Sequence, residues 1–429
     1  MNSSPDTPLT IPPPTTAPNS GLISGGHGPL GAIYLDHAAS STLRDCARDA
    51  MISAWQKGPG NPASTHFAGR AQRRFLEDAR EKIAFLLGAF PDEVLLTSGA
   101  TEANNLALFG HAKALGQPAS LVSSLVEHAS VLQGLQSLEK SGHHLRLVKP
   151  DGEGIVSGLA QEVLSKALDQ KTGLVSLQLA NQETGAIQPV AELGEQLTRL
   201  IPGWRIHTDA TQAVGKFRVD FHRLSVQSLA FSAHKFGGPV GVGALLVRRG
   251  VKLRPLFYGG GQQEGNRPGT ESAALATGMA AALAEAIADM TDFQTRTKGI
   301  RGRLLDLLRE QGVPFLVNGP GNENGMESRK GQRDGIGMPH ILNLSFPGIR
   351  ADLLLMALDL EKVAVSAGSA CSSGSILPSG VLTSMGLPEE RVRSAIRISF
   401  GHDTTIQAID QAFQRLLKVV RRLAPESGE

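Results

Sequence analysis

The chain has 429 residues, 41% of them hydrophobic, which is enough to bury a large core and to form about two or three domains. Its 42 Lys and Arg residues nearly balance its 40 Asp and Glu residues, so the formal charge is only +2 and neither a nucleic-acid-binding surface nor an acidic tail is indicated. The two cysteines, Cys46 and Cys371, exclude a disulfide framework and favour the reducing cytoplasm. No apolar run reaches the roughly 18 residues of a membrane-spanning helix.

Residues 1–31 are predicted to form a disordered tail. They are rich in Pro, Ser, Thr and Gly and contain no continuous apolar run. A secretory signal needs an apolar stretch and an organelle transit peptide needs arginine, yet the first Lys or Arg is Arg44. The sequence therefore predicts no targeting segment and a cytoplasmic protein.

Beyond this tail, short β-rich runs alternate with amphipathic helical runs, a pattern typical of an α/β sheet covered by helices. One predicted helix, 71–88, places its apolar residues on one face and ends at a glycine, and a second, 289–311, leads into a C-terminal part with strands of its own. We place a domain boundary near residue 295. The Gly-rich polar run 318–337 is predicted to be a surface loop. The predicted strands are 93–98, 173–180, 204–210, 228–233, 243–249, 339–346 and 363–366.

Lys235 is the first residue whose surroundings indicate chemistry. It follows a predicted strand in the run SAHKFGGP and precedes a glycine-rich turn. A lysine at the end of a strand reaches into a central cleft, where desolvation makes its amine available to form a Schiff base. Taken alone, Lys235 would be read as a solvated surface charge, so the interpretation depends on what else the chain offers.

The chain offers each group that pyridoxal phosphate requires besides the lysine: an acid for the pyridine nitrogen and donors for the phenolic oxygen and the phosphate. Asp209, in HTDATQ, ends a strand, and Gln212 follows three residues later. The run TSGATEANN passes from a strand through glycine into a helix, so its backbone N–H groups and Thr101 indicate an anion site. Ser232 and His234 add donors. A helix cap, a loop acid and a core histidine are the alternatives for Thr101, Asp209 and His234 taken singly.

These segments identify a family resemblance: the chain resembles class V aminotransferase-fold enzymes of the cysteine desulfurase family from about residue 33 to 423. The resemblance implies a pyridoxal-phosphate-dependent transferase of fold type I, with a mainly parallel sheet sandwiched by helices in a large cofactor-binding domain, 46–295. It also implies a smaller α+β domain, 32–45 and 296–424, that carries a catalytic cysteine loop. The segments that carry the resemblance are YLDHAAS, GNPASTHFAGR, TSGATEANNLAL, EHAS, ANQETGAIQP, HTDATQAVGK, SAHKFGGPVGVGAL, GGGQQEGNRPGTES, SAGSACSSGS and SAIRISFG.

The resemblance implies a role for each matching position. Lys235 would hold the cofactor, Asp209 would pair with its ring nitrogen, and Gln212 would donate to its phenolic oxygen. His128 would stack on the ring and help move protons. Asn181 and Arg397 would bind the substrate, with Arg397 clamping its carboxylate. The remaining implied cofactor contacts are Ala100, Thr101, Gln182, Ser232, His234 and, from a neighbouring subunit, Thr270.

Cys371 separates this interpretation from other enzymes of the fold. It lies in SAGSACSSGS, a run of small residues that cannot pack a core and is predicted to be a flexible loop. A sulfur carrier needs such mobility, because its thiolate must first attack the bound substrate and then present a persulfide elsewhere. The alternative is a small buried hydrophobe, and that is the interpretation we adopt for Cys46 in its predicted helix.

The implied reaction is removal of sulfur from L-cysteine, which gives L-alanine and a persulfide on Cys371. Either Lys235 or His128 would take the α proton. The implied partners are a second copy of the chain and a sulfur acceptor such as an iron–sulfur scaffold; no metal, nucleic acid or membrane is implied. Selenocysteine lyase and a non-catalytic cofactor-binding scaffold stay open as alternatives. Two departures from the family pattern are Gln182, where an asparagine is usual, and His37, which also replaces an asparagine.

Overall fold

The computed structural model describes residues 31–115, 118–167, 173–321, 337–367 and 377–424. The predicted tail, most of the loop predicted at 318–337, and Cys371 lie outside these residues. The helices are α1 (Asp45–Gln56), α2 (Phe67–Leu87), α3 (Ala100–Leu115), α4 (Ala129–Lys140), α5 (Leu159–Ala167), α6 (Val190–Leu200), α7 (Ala273–Ala288), α8 (Met290–Glu310), α9 (Ala351–Leu360), α10 (Gly380–Ser384), α11 (Glu389–Arg393) and α12 (Ile406–Leu423).

The strands form three sheets within the described residues. The largest has seven strands in the order β2-β8-β7-β6-β5-β3-β4, a second has the order β12-β10-β9, and β1 pairs with β11. Their bounds are β1 (Ile33–Tyr34), β2 (Val94–Thr97), β3 (Ser120–Ser124), β4 (His144–Val148), β5 (Gly173–Ser176), β6 (Trp204–Asp209), β7 (Ser228–Ser232), β8 (Gly243–Val247), β9 (Leu316–Asn318), β10 (Ile341–Ser345), β11 (Val363–Ala364) and β12 (Ala395–Ser399).

The large sheet is mostly parallel. Strands β4, β3, β5, β6 and β7 run in one direction, whereas β8 is antiparallel to both β7 and β2. Apart from the edge strand β4, which is partly exposed, its strands are almost continuously buried, as expected for a sheet covered by helices on both faces. The predicted fold class, a mainly parallel sheet sandwiched by helices together with a smaller α+β part, is confirmed.

Two large hydrophobic cores support these sheets. The first lies around the large sheet and includes Phe221 and Phe231, with α2, α6 and α7 packed on it. The second joins Ile33 and Leu35 to β10, β12 and the helices α8, α9 and α12. The N-terminal strand thus belongs to the C-terminal core, whereas Ala38, a few residues later, packs in the core of the large sheet. The domain boundaries themselves stay a prediction.

Helix α8 begins directly after α7, and the two are bent by 67°. No single helix in the described ranges is long and apolar enough to cross a membrane, while the bent pair α7 and α8 meets that test by length and composition.

Candidate active site

Asp209 and Lys235 lie together because adjacent parallel strands end at the same edge of the sheet. Asp209 is the last residue of β6 and is in register with Ala230 of β7. Lys235 closes a short 3-10 turn, Ala233–Lys235, that follows the last residue of β7. The carboxyl edge of a parallel sheet is where α/β folds place their ligands. The acid and the amine predicted from sequence therefore reach one cleft.

Burial tunes the Lys235 amine. Its Nζ donates to the backbone oxygens of Ala38 and Ala39 at 2.9 and 2.7 Å. Burial first, and then the charge of Arg397, lowers the pKa of Lys235 to about 8, although Asp209 opposes the shift. A substantial fraction of this amine is therefore neutral near physiological pH, which a nucleophile for an aldehyde requires.

Asp209 is held as an acceptor by two donors. Its Oδ1 accepts the backbone N–H of Thr211 at 2.9 Å, and its Oδ2 accepts the side-chain N–H of Asn104 at 2.7 Å. The carboxylate is 6% exposed. A buried carboxylate with lone pairs left toward a cleft fits a protonated ring nitrogen such as that of pyridoxal phosphate.

The start of α3 faces the same edge of the sheet. The first N–H groups of a helix have no acceptor within it, so Ala100 and Thr101 present donors and a positive dipole end. Gly99 precedes them with φ +156°, and a side chain added there would meet the Ser232 hydroxyl at 3.5 Å. Burial, Lys235 and Lys216 lower the pKa of His234 to about 4, so its ring is neutral and donates one N–H. This donor set fits a phosphate.

Arg397 lies on β12 and is 4% exposed. One terminal nitrogen donates to Asp36 Oδ1 at 2.6 Å and the other to the backbone oxygen of Gln182 at 2.9 Å. Its Nε is buried without a partner among the described residues. A forked donor with one free N–H fits an incoming carboxylate that would share or replace Asp36. Gln182 itself is half-buried and contributes its main chain to this contact.

Asn181 is a turn-building residue in this structure. Its Oδ1 accepts from the N–H groups of Glu183 and Thr184, both at 2.8 Å, and its Nδ2 donates to Val126 at 3.0 Å. The side chain is fully buried. Its assignment to the substrate stays a prediction, and these contacts count against it.

Gln212 and Lys216 lie four residues apart in the turn that follows β6. Gln212 donates to Ala38 at 2.9 Å and accepts from Lys216 Nζ at 3.3 Å. Burial, followed by the charges of Lys235 and Arg397, lowers the pKa of Lys216 to about 7. Lys216 was not anticipated from sequence, although it ends a quoted segment, HTDATQAVGK.

His128 caps the N-terminus of α4 and is exposed. Its Nδ1 accepts the backbone N–H of Ser130 at 3.1 Å and lies 2.8 Å from the Ser130 hydroxyl. The neighbouring Glu127 is buried, and burial raises its pKa to about 8. A neutral carboxyl therefore lies behind the predicted ring-stacking histidine.

Thr270 is exposed and makes no described contact with the groups above. Its loop is tied to α3 by Arg267 with Glu102, at 2.7 Å, and to α2 by Arg80 with Glu271, at 3.0 Å. These anchors fix the loop while leaving Thr270 outward, as a contact with a neighbouring subunit would require.

Cys371 lies outside the described residues, but both ends of its segment are anchored at the site. On one side, the backbones of Ser366 and Arg397 exchange two hydrogen bonds, at 3.1 and 2.6 Å. On the other side, the hydroxyl of Ser379 donates to Glu183, next to Gln182. The segment therefore starts and ends beside the residues that hold Arg397.

Cys46 has the packing position expected from sequence. It is half-buried in α1. Burial, together with a hydrogen bond to Glu285, raises its pKa to about 12, so it stays a thiol and not a nucleophilic thiolate. Within the described part of the chain, no group of three or more His, Cys, Asp or Glu side chains is arranged to hold a metal ion.

Comparisons with known proteins agree with this geometry. The model of the class-V aminotransferase family matches residues 33–412. A protein of Bacillus subtilis (strain 168) named "Putative cysteine desulfurase IscS 1" is 38% identical over 395 residues, which cover 91% of this chain and 99% of that protein. One of Mycobacterium tuberculosis (strain ATCC 25618 / H37Rv), named "IscS-like cysteine desulfurase", is 37% identical over 394 residues, 91% and 96% of the two chains.

Solved structures give the same result. A NifS-like protein superposes with a TM-score of 0.82 at 31% identity, covering 91% of this chain and all of that one. DndA from Streptomyces lividans superposes with a TM-score of 0.68 at 36% identity, covering 85% and 99% of the two chains. The chain belongs to the class-V aminotransferase family, in the branch of the cysteine desulfurases.

Proposed function

We propose that the protein is a pyridoxal-phosphate-dependent cysteine desulfurase that transfers sulfur from L-cysteine to Cys371. The observation that carries the proposal is the pairing of a lysine with a lowered pKa, Lys235, with a buried hydrogen-bond acceptor, Asp209, at one sheet edge. The likeness to proteins named cysteine desulfurases supports the choice of substrate.

The described donors would hold the cofactor from both sides. Lys235 would bond to its aldehyde, Asp209 would face its ring nitrogen, and the first turn of α3 would bind its phosphate together with Ser232 and His234. When bound, pyridoxal phosphate supplies an electron sink for negative charge at the substrate α-carbon. Water is kept from the acid by burial, because Asp209 is only 6% exposed.

The substrate would be oriented through its carboxylate by Arg397. The free Nε of this side chain, and the terminal nitrogen now on Asp36, offer two parallel N–H donors. Lys235, whose pKa is lowered to about 8, is then a suitable group to take the α proton near neutral pH.

Cys371 would complete the reaction. Its thiolate would attack the substrate sulfur, the carbon–sulfur bond would break, and a persulfide on Cys371 and free alanine would result. Cys371 is five residue steps along the chain from Ser366, so an extended chain between them spans at most about 17 Å. The thiol is therefore tethered within reach of Arg397 and of an acceptor at the surface.

We propose that the working form is a homodimer in the reducing cytoplasm, which passes sulfur to an acceptor such as an iron–sulfur scaffold. The outward position of Thr270 on an anchored loop supports the dimer, since an exposed hydroxyl there is available to a second chain. Exposed apolar side chains at Trp55, Phe67 and Tyr258 also favour a covered surface.

The test is product analysis with purified protein, pyridoxal phosphate, L-cysteine and a thiol reductant. We expect equal amounts of alanine and sulfide. Cys371→Ala should keep the yellow absorbance of the cofactor and lose both products, whereas Lys235→Ala should lose the absorbance. Cys46→Ser is the matched control and should keep full activity, because its thiol is not ionised.

Two outcomes would contradict the proposal. Sulfide release at the full rate by Cys371→Ala would assign the protein to the lyases, and selenocysteine would then be tested as the substrate. Cofactor binding without alanine from the wild-type protein would favour a non-catalytic scaffold.

A further inference from the structure

One buried amide, that of Asn104, lies between the two side chains expected to flank the cofactor ring. Asn104 is in α3 and is fully buried. Its Nδ2 donates to Asp209 Oδ2 at 2.7 Å and to the Ser130 hydroxyl at 2.9 Å. The same hydroxyl lies 2.8 Å from His128 Nδ1. Asn104 thus connects Asp209 to His128 through a single intervening group.

The direction of these hydrogen bonds follows from the chemistry of the partners. An ionised carboxylate only accepts, so the amide nitrogen of Asn104 must face Asp209. The second N–H of that nitrogen goes to Ser130, whose hydroxyl proton is then free to point at His128 Nδ1. The backbone N–H of Ser130 points at the same nitrogen at 3.1 Å. Nδ1 of His128 is therefore an acceptor, and a neutral ring carries its proton on Nε2.

The other side of the amide is fixed in the same way. Asn104 Oδ1 accepts from His207 Nε2 at 3.0 Å, so that nitrogen carries a proton. Burial lowers the pKa of His207 to about 4, so its Nδ1 is bare and accepts the Ser228 hydroxyl at 2.9 Å. Ser228 accepts in turn from His111 Nε2 at 2.9 Å. Each proton in this buried series of hydrogen bonds, from Asn104 through His207 and Ser228 to His111, then has one position. The Asn104 amide accordingly has one orientation.

We propose that Asn104 is a positioning residue that holds the Asp209 carboxylate as an acceptor and, through the Ser130 hydroxyl, supports the His128 tautomer with its proton on Nε2. The inference rests on the proposed function and deepens it. A neutral His128 in this tautomer has its proton on Nε2 and its bare Nδ1 engaged by Ser130, so neither ring nitrogen is open to take a proton. Of the two groups that the family resemblance offers for taking the α proton, the network selects Lys235.

The first test is spectroscopic and uses the holoenzyme labelled with ¹⁵N-histidine. The ring nitrogens of His128, assigned by their loss in His128→Gln, should show a bare Nδ1 and a protonated Nε2. A proton on Nδ1 of His128 in the wild-type protein would overturn the inference. This readout does not depend on turnover.

The second test compares Asn104→Ala with Asn105→Ala. Asn105 is the next residue of α3, and its amide donates only to the Thr101 backbone of its own helix, at 2.8 Å. Asn104→Ala should weaken pyridoxal phosphate binding about tenfold to a hundredfold and lower kcat by a similar factor, because Asp209 loses a charge-assisted hydrogen bond. It should also shift the His128 ring-nitrogen signals, because the Ser130 hydroxyl loses the donor that orients its proton toward Nδ1, while the Ser130 backbone N–H still donates there. Asn105→Ala should change none of these.

The outcomes separate the inference from the proposed function. Unchanged cofactor affinity and an unchanged His128 spectrum in Asn104→Ala would overturn the inference alone. A wild-type protein that makes no alanine would refute the proposed function, whatever the histidine spectrum shows. Should Asn104→Ala fail to fold, the wild-type spectrum decides, together with Ser130→Ala, which removes only the hydroxyl between Asn104 and His128 and should leave cofactor affinity within about threefold.

Discussion

Replacing Glu127 with glutamine should stabilise the protein more as the pH rises. Burial raises the pKa of Glu127 to about 8 from its ordinary value of 4.5. A carboxyl whose pKa is higher in the folded state binds its proton more tightly there, so its contribution to stability is full below pH 4.5 and is lost as the pH rises through 8. From about pH 5.5 to about pH 8.5, this loss is on the order of 3 kcal/mol, taking about 1.36 kcal/mol for each pH unit between the two pKa values.

The glutamine variant has no proton to lose, so it escapes that loss. The oxygen that accepts from Ser124 and from the Gln178 backbone, at 2.9 and 2.8 Å, has a counterpart in glutamine. The other Glu127 oxygen is buried without a partner among the described residues, so any cost of placing an amide nitrogen there is the same at every pH and does not affect the slope. The assay is denaturant unfolding of both proteins at several pH values, with and without pyridoxal phosphate, and the diagnostic quantity is their difference in unfolding free energy.

Glu93 provides the matched control, because it is a second buried glutamate with the opposite shift. Burial tends to raise its pKa, but hydrogen bonds from the backbones of Phe90 and Arg249, and from His222, lower it overall. Because the pKa of Glu93 is lowered from 4.5, the difference in unfolding free energy between Glu93→Gln and wild type should change only below about pH 4.5 and stay level from about pH 5.5 to 8.5. Over that same range, Glu127→Gln should become more stable relative to wild type. A pH-independent difference for Glu127→Gln would refute the assignment of a protonated carboxyl behind His128.

Two further predictions concern the lysine and the turn beside it. In cofactor-free protein, the reaction of Lys235 with pyridoxal phosphate can be followed by trapping the product with borohydride. Its rate should rise with pH around a midpoint of about 8, because the neutral amine appears there. A midpoint near the ordinary value of 10.5 would contradict the lowered pKa. Gly401→Ala should lower the unfolding free energy by about 1–3 kcal/mol, because the new methyl group would overlap the His37 ring. In a double-mutant cycle measured by denaturant unfolding, His37→Ala should remove most of that cost. Strictly additive costs would argue against the contact.

The sequence predicted α2 well at one end and less well at the other, for a physical reason. The predicted end at Gly88 is correct, because this glycine adopts the left-handed conformation with φ 64° that ends helices. The predicted start at residue 71 is one turn late. The cap is His66, whose imidazole accepts from Gly69, and histidine is not among the usual capping residues.

The site was predictable to the extent that it depends on strand ends. Asp209 and Lys235 each follow a buried run, and parallel strands bring such ends to one edge, so their proximity needed no knowledge of the loops. Arg397 with Asp36 is different, because the two residues are separated by 361 positions and meet only when β1 joins the C-terminal core. Asn181 shows the opposite limit: a short amide next to its own backbone satisfies local N–H groups before it reaches any ligand.

Asn104 explains why motif residues without an assigned reaction are still constrained. Its position in TSGATEANN suggests only a polar helix residue, and nothing in the spacing connects it to residue 128 or 209. The connection arises because α3 packs across β6, which brings the buried face of the helix against the carboxyl end of that strand. The buried Asn104 amide has three hydrogen-bond partners, Asp209, Ser130 and His207, so few other side chains can replace it. Each partner left without a hydrogen bond would cost about 1–3 kcal/mol in desolvation. The same contacts that make Asn104 necessary for packing therefore also favour Nε2 as the protonated nitrogen of His128, and structure and proton placement cannot be altered independently at this position.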